Sequence, residues 1–124
     1  MVTEQIQQVP NDWPGTLPEY LVYQVLTRMQ IEFEYQSSQM GGRQERGGAV
    51  IDFYIPSLNM GINVASLYWH YSRPSARLAD ELQREQLEAQ GIQMIFIDEE
   101  DIYRNANYYV KEALELRDHS RTLR

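Results

Sequence analysis

The chain has 124 residues, 43% of them hydrophobic, enough for one core and too few for two domains. With no cysteine, disulfides, thiolate zinc sites and thiol nucleophiles are all excluded, and a reducing, cytoplasmic setting is expected. A formal charge of −7 works against free binding to a phosphate backbone, no 18-residue apolar run exists to cross a bilayer, and the polar stretch Met1 to Asn11 has no signal-peptide core.

Residues 1–15 read as an arm, since Pro10, Pro14 and Gly15 interrupt any regular element; Trp13 is the residue expected to pin it. A single domain over 16–118 follows, and the polar tail, 119–124, is expected to fray, with fraying already beginning at Arg117. Thr16 and Glu19 have capping-box spacing, and Leu17, Leu21, Val25 and Met29 recur at helical spacing, so a helix is predicted over about 17–29. Ile31, Phe33 and Tyr35 alternate with polar residues, as in a half-buried strand. Residues 41–48 form a flexible polar loop with a diglycine at each end. Ala49 to Ile55 predicts a second strand, with Ala49, Ile51, Phe53 and Ile55 on one face and Val50, Asp52 and Tyr54 on the other. After the turn at Pro56-Ser57-Leu58-Asn59, Met60 to Ser66 predicts a third, with Gly61, Asn63 and Ala65 sharing a face. Pro74 to Gln90 predicts a helix closed by Gly91, Ile92 to Ile97 a buried strand, and a last helix starts near Asn105 or Asn107. Strands two and three should form a hairpin, and the strand after the second helix should add in parallel.

The resulting order, αβββαβ with a further C-terminal helix, resembles the common core of the PD-(D/E)XK nuclease superfamily, in its very-short-patch-repair-like, restriction-endonuclease-like branch. Gly47-Gly48-Ala49-Val50-Ile51-Asp52-Phe53-Tyr54-Ile55-Pro56 is similar to the strand that presents the first metal-binding aspartate. Ile62-Asn63-Val64-Ala65 followed by His70 is similar in position to the next strand and its histidine, and Glu19 falls where many such enzymes carry an additional acid. The resemblance implies an α/β fold with a four-stranded mixed sheet flanked by helices. It also implies a site of Glu19, Asp52, Asn63 and His70, with Asp52 and Glu19 as metal ligands. The superfamily's third-strand motif is an acid, a spacer and usually a lysine, whereas this chain has Asn63-Val64-Ala65. Its only lysine, Lys111, sits in the last predicted helix. Phosphodiester hydrolysis of this type uses a divalent metal, bound through hard oxygens, and a base that acts on water.

Each of these residues also has a structural reading. Asp52 is an aspartate on the less buried face of a strand, and Glu19 completes a helix cap. Tyr68, Trp69 and Tyr71 offer stacking surfaces for bases or packing for a protein interface, and His70 among them is a structural residue or a base. Arg43 and Arg46 are phosphate contacts or the tip of a mobile hairpin, and no Gly-Lys-Ser/Thr follows to make the loop a P-loop. Asp98 to Asp101 either attract a cation or read as acids at a helix start, the latter being the better reading because acids favour the positive end of a helix. The first functional expectation is a catalytically degenerate nuclease-fold domain that binds or assembles, in a phage or nucleic-acid-processing complex. Its partner is a protein or a second copy, DNA being disfavoured by net charge, and no cofactor is expected. The alternative is an active Mg2+-dependent DNA endonuclease of the repair or resolvase kind.

Overall fold

A capping box starts the first helix. In α1, Leu17–Arg28, the Thr16 hydroxyl accepts from the Glu19 N–H while the Glu19 carboxylate accepts from the Thr16 N–H. Two backbone donors that a helix start leaves unsatisfied are thereby paired. The computed structural model describes residues 9–35, 45–46, 49–66 and 74–121, with the backbone alone for 45–46, 49–50, 74–77 and 79–80. The strands are β1, Glu34–Tyr35; β2, Glu45–Arg46; β3, Ala49–Val50; β4, Phe53–Ile55; β5, Met60–Ala65; and β6, Gln93–Asp98. Helices α2, Pro74–Ala89, and α3, Glu99–Leu114, flank β6 in sequence.

The main sheet has the order β1-β4-β5-β6. Its first two pairings are antiparallel, and β5 runs parallel to β6. The short turn Pro56–Leu58, closed by Asn59 in the left-handed region (φ 47°), allows β4 and β5 to form a hairpin. The parallel pair needs a long connection, and α2 lies in it. Every second residue of β5 and β6 turns to each face. Met60, Ile62, Ile95 and Ile97 pack with Val22, Val25 and Leu26 of α1 and Ile102, Val110 and Ala113 of α3. On the opposite face Ala65, Met94 and Phe96 pack with Leu87 of α2. The fold is therefore α/β in three layers: α1 and α3, the sheet, and α2. Among the described residues no helix is long and apolar enough to cross a membrane.

Four details differ from the sequence reading. The predicted strand Ala49–Ile55 is broken at Ile51-Asp52, and Ala49–Val50 pairs instead with Glu45–Arg46 in a separate two-stranded sheet. The bend puts Ile51 in the α2-side cluster, away from the face that Phe53 and Ile55 occupy, so strict alternation fails there. The diglycine-flanked loop accordingly holds a strand at its centre. Helix α3 begins at Glu99, with three acids in its first turn, but Asn105 is extended (φ −164°, ψ 82°) and its Oδ1 accepts from the Tyr108 N–H at 3.1 Å. The expected start at Asn105 is thus the cap of the second of two helical segments.

The fourth difference is the segment after α3. Leu116 takes a left-handed conformation (φ 66°), and the Arg117 N–H reaches the Glu112 carbonyl at 2.9 Å, which turns the chain back. The residues expected to fray from Arg117 are tied down as far as Arg121. The Asp118 carboxylate accepts from the Phe96 N–H on the outer edge of β6 at 2.9 Å and lies 3.5 Å from the Arg84 guanidinium. Ser120 is buried. Unpaired edge groups and nearby opposite charges make this docking favourable despite the segment's polarity.

Candidate functional site

Where β4 bends away from ideal pairing, side chains replace the missing ladder bonds. The Asp52 N–H donates to Asn63 Oδ1 at 2.6 Å, and the Val64 N–H donates to Asp52 Oδ2 at 2.9 Å. The two bonds fasten Asp52 to β5, one through the Asn63 side chain and one through the Val64 backbone, and the latter holds the Asp52 carboxylate in a fixed direction. Asn63 is buried and Asp52 half-buried. A buried amide oxygen in this place satisfies a donor that would otherwise cost about 1–3 kcal/mol.

Glu19 approaches the same end of the sheet from α1. Its Oε1 accepts from the Tyr35 hydroxyl at 2.9 Å, and Tyr35 is the register partner of Phe53, the residue after Asp52. One side chain thus caps α1 and accepts from the end of β1. Trp13 anchors the arm here: its ring lies 4.8 Å from that of Tyr35, 5.0 Å from Tyr23 and 5.3 Å from Tyr20, and its Nε1 donates to the Thr16 carbonyl.

The sequence reading named Asp98 only as one of an acidic run and did not single it out. It is fully buried at the end of β6 and is the register partner of Ala65. It stands at the N-cap of α3 yet makes no capping bond with its side chain. Its Oδ2 instead takes the Arg121 N–H at 3.1 Å and the Arg121 Nε–H at 3.3 Å, and the same guanidinium reaches Glu100 at 3.2 Å. The sequence grouped Asp98 with the three acids that follow, and nothing in that run marks which one turns inward. Asp101, also buried, pairs with Arg104 one turn along the helix.

His70, Tyr68, Trp69, Tyr71 and Arg43 lie outside the described residues, and Arg46 is placed by its backbone alone, in β2. Among the described residues no group of three or more His, Cys, Asp or Glu side chains is arranged to hold a metal ion. The described donors near Asp52 are hard oxygens, a chemistry that suits magnesium held by one or two carboxylates and water rather than a soft metal.

The fold has a solved counterpart. The chain is similar to a structure described as the catalytic domain of the homing endonuclease I-Bth0305I, with a TM-score of 0.63 and 20% identity over 82% of this chain and 93% of that one. The α/β architecture is nuclease-like. No family model and no curated protein matches the sequence.

Proposed function

We propose that this domain is a metal-dependent nuclease that hydrolyses a phosphodiester. In this reading Asp52 is the metal-binding carboxylate, Asn63 the brace that fixes it, and Asp98 the second acid of the site. The register partnership of Ala65 with Asp98 carries the proposal. Asn63-Val64-Ala65 lacks the charged residues of the third-strand motif, but the neighbouring strand brings a buried carboxylate level with the last of the three. Asp98 is fully buried at the end of the sheet that holds Asp52, and an ionisable group buried in such a place favours a working role. Likeness to the catalytic domain of a homing endonuclease favours nucleic acid as the polymer.

Each side chain then has a task. Asp52 presents an oxygen ligand whose direction is set by the Val64 N–H. Glu19, tied to Tyr35 and Thr16, adds negative potential from α1. His70 is proposed as the base acting on water. A bound divalent ion would supply phosphate polarisation and an acidified water. The test is cleavage of duplex, branched and single-stranded DNA with magnesium or manganese. The expected result is metal-dependent cleavage by the native chain that Asp52→Ala reduces at least a hundredfold. Equal rates for the two proteins would overturn the proposal.

A second reading, a catalytically silent assembly subunit, is favoured by Leu78 and Leu82. They lie one turn apart on α2, and each is 57% exposed. Light scattering separates the two readings: an oligomer dispersed by Leu82→Glu, in a chain without cleavage, supports assembly.

A further inference from the structure

The segment 117–121 is held by a set of ion pairs, with the His119 ring also edge-on against Tyr109. Arg117 pairs with Glu112 and Glu115, His119 with Glu112, Asp118 with Arg84, and Arg121 with Asp98 and Glu100. Only the last of these side chains reaches the candidate site. Arg121 contributes both its backbone N–H and its Nε–H to one oxygen of a carboxylate that is 0% exposed, while its own side chain is about one-third exposed. The geometry fixes the carboxylate from two directions. Asp98 has an alternative, to cap α3, which it does not take.

We propose that Arg121 is a resident cation of the candidate site: paired with Asp98 at the end of β6, it competes with a divalent metal for that carboxylate and weakens the site's hold on the ion. The inference rests on the nuclease reading above and adds a determinant that lies outside the αβββαβ core. Asp52 and Asp98 are separated by one intervening strand, β5. With the screening of a partly exposed site, removing one positive charge paired with a ligand carboxylate changes the affinity for a cation by about threefold to tenfold.

The experiment measures manganese binding by calorimetry on the full chain, with thermal melting alongside. Arg121→Gln is expected to bind manganese about threefold to tenfold more tightly while melting lower. A residue with only a structural role would lower both. Arg121→Lys keeps the charge and should return the affinity to the native value. Asp98→Asn should weaken binding, and the double variant Asp98→Asn/Arg121→Gln should melt higher than Arg121→Gln alone, because no buried anion is left uncompensated. Unchanged or weaker binding in Arg121→Gln, with native binding intact, would overturn this proposal and leave the nuclease reading standing. No manganese binding by the native chain, together with no cleavage, would overturn both.

Discussion

Asp52 and Asn63 hold each other across the seam between β4 and β5, the backbone of one bonded to the side chain of the other. The asparagine at this place is therefore a strand fastener as well as a neighbour of the candidate ligand. Asn63→Leu would leave the Asp52 N–H without that acceptor, and a loss of about 1–3 kcal/mol is expected in urea unfolding. Asn63→Asp would set two carboxylates side by side. It should melt lower than the native chain at neutral pH and recover when magnesium is added, since a bound cation offsets the repulsion. A melting temperature indifferent to magnesium would count against a metal site at Asp52.

Docking of the 117–121 segment should depend on acid. The hydrogen bond from Arg117, followed by that from His119, lowers the Glu112 carboxyl from its ordinary 4.5 to about 2. The folded value lies below the unfolded one, so ionised Glu112 favours the docked segment fully above pH 4.5. That contribution is lost as pH falls from about 4.5 towards 2. Amide exchange at Ser120 and Arg121 should accelerate through that interval. In Glu112→Gln the difference from the native chain should be largest near neutrality and shrink towards pH 2.

Gly61 is a packing requirement. A β-carbon there would lie 2.6 Å from Ile51 Cγ2 and 2.7 Å from Met94 Sδ, inside contact distance. Ile51 occupies that space because the bend at Asp52 turns it to the α2 side. Gly61→Ala is expected to cost about 1–3 kcal/mol in denaturant unfolding. Ile51→Ala, which removes that γ-carbon, should cost less in the Gly61→Ala background than in the native chain; additive losses would show that the crowding lies elsewhere.

Glu19 joins the start of α1 to the end of β1. Glu19→Ala removes the capping bond and the acceptor for the Tyr35 hydroxyl, and should destabilise by about 1–2 kcal/mol. Tyr35→Phe should cost less. If Glu19 also shapes the potential at Asp52, Glu19→Gln should weaken manganese binding while keeping most of the stability, a split that calorimetry and melting would resolve.

Much of the fold was legible because periodicity and punctuation agreed. Thr16 with Glu19 marked the start of α1, Gly91 the end of α2, and alternation in β5 assigned Asn63 and Ala65 to one face correctly. Legibility failed where a side chain overrode the local pattern. Ile51 obeys the alternation rule in sequence and breaks it in space, because Asp52 satisfies the backbone at a bend that no glycine or proline announces. Leu116 adopts a conformation that usually calls for glycine, so the chain reversal after α3 was invisible, and with it the docking of Arg121. Asp98 differs from Glu99, Glu100 and Asp101 by its position at the end of a strand, a fact of register rather than of composition. Glu19 and Asp52 were legible as candidates because each sits within a recognisable local signal.

The mixed pairing of the sheet also bears on the order in which the domain assembles. The β4–β5 hairpin closes over a four-residue turn, whereas the β5–β6 partners Met60 and Gln93 lie 33 positions apart in the chain. Short closures cost less chain entropy and precede long ones. The Asp52–Asn63 lock should therefore belong to an early hairpin nucleus, and Asp98 should arrive in a later, slower stage that completes the sheet. Substitutions at Asn63 would then retard refolding, while those at Asp98 and Arg121 would mainly hasten unfolding.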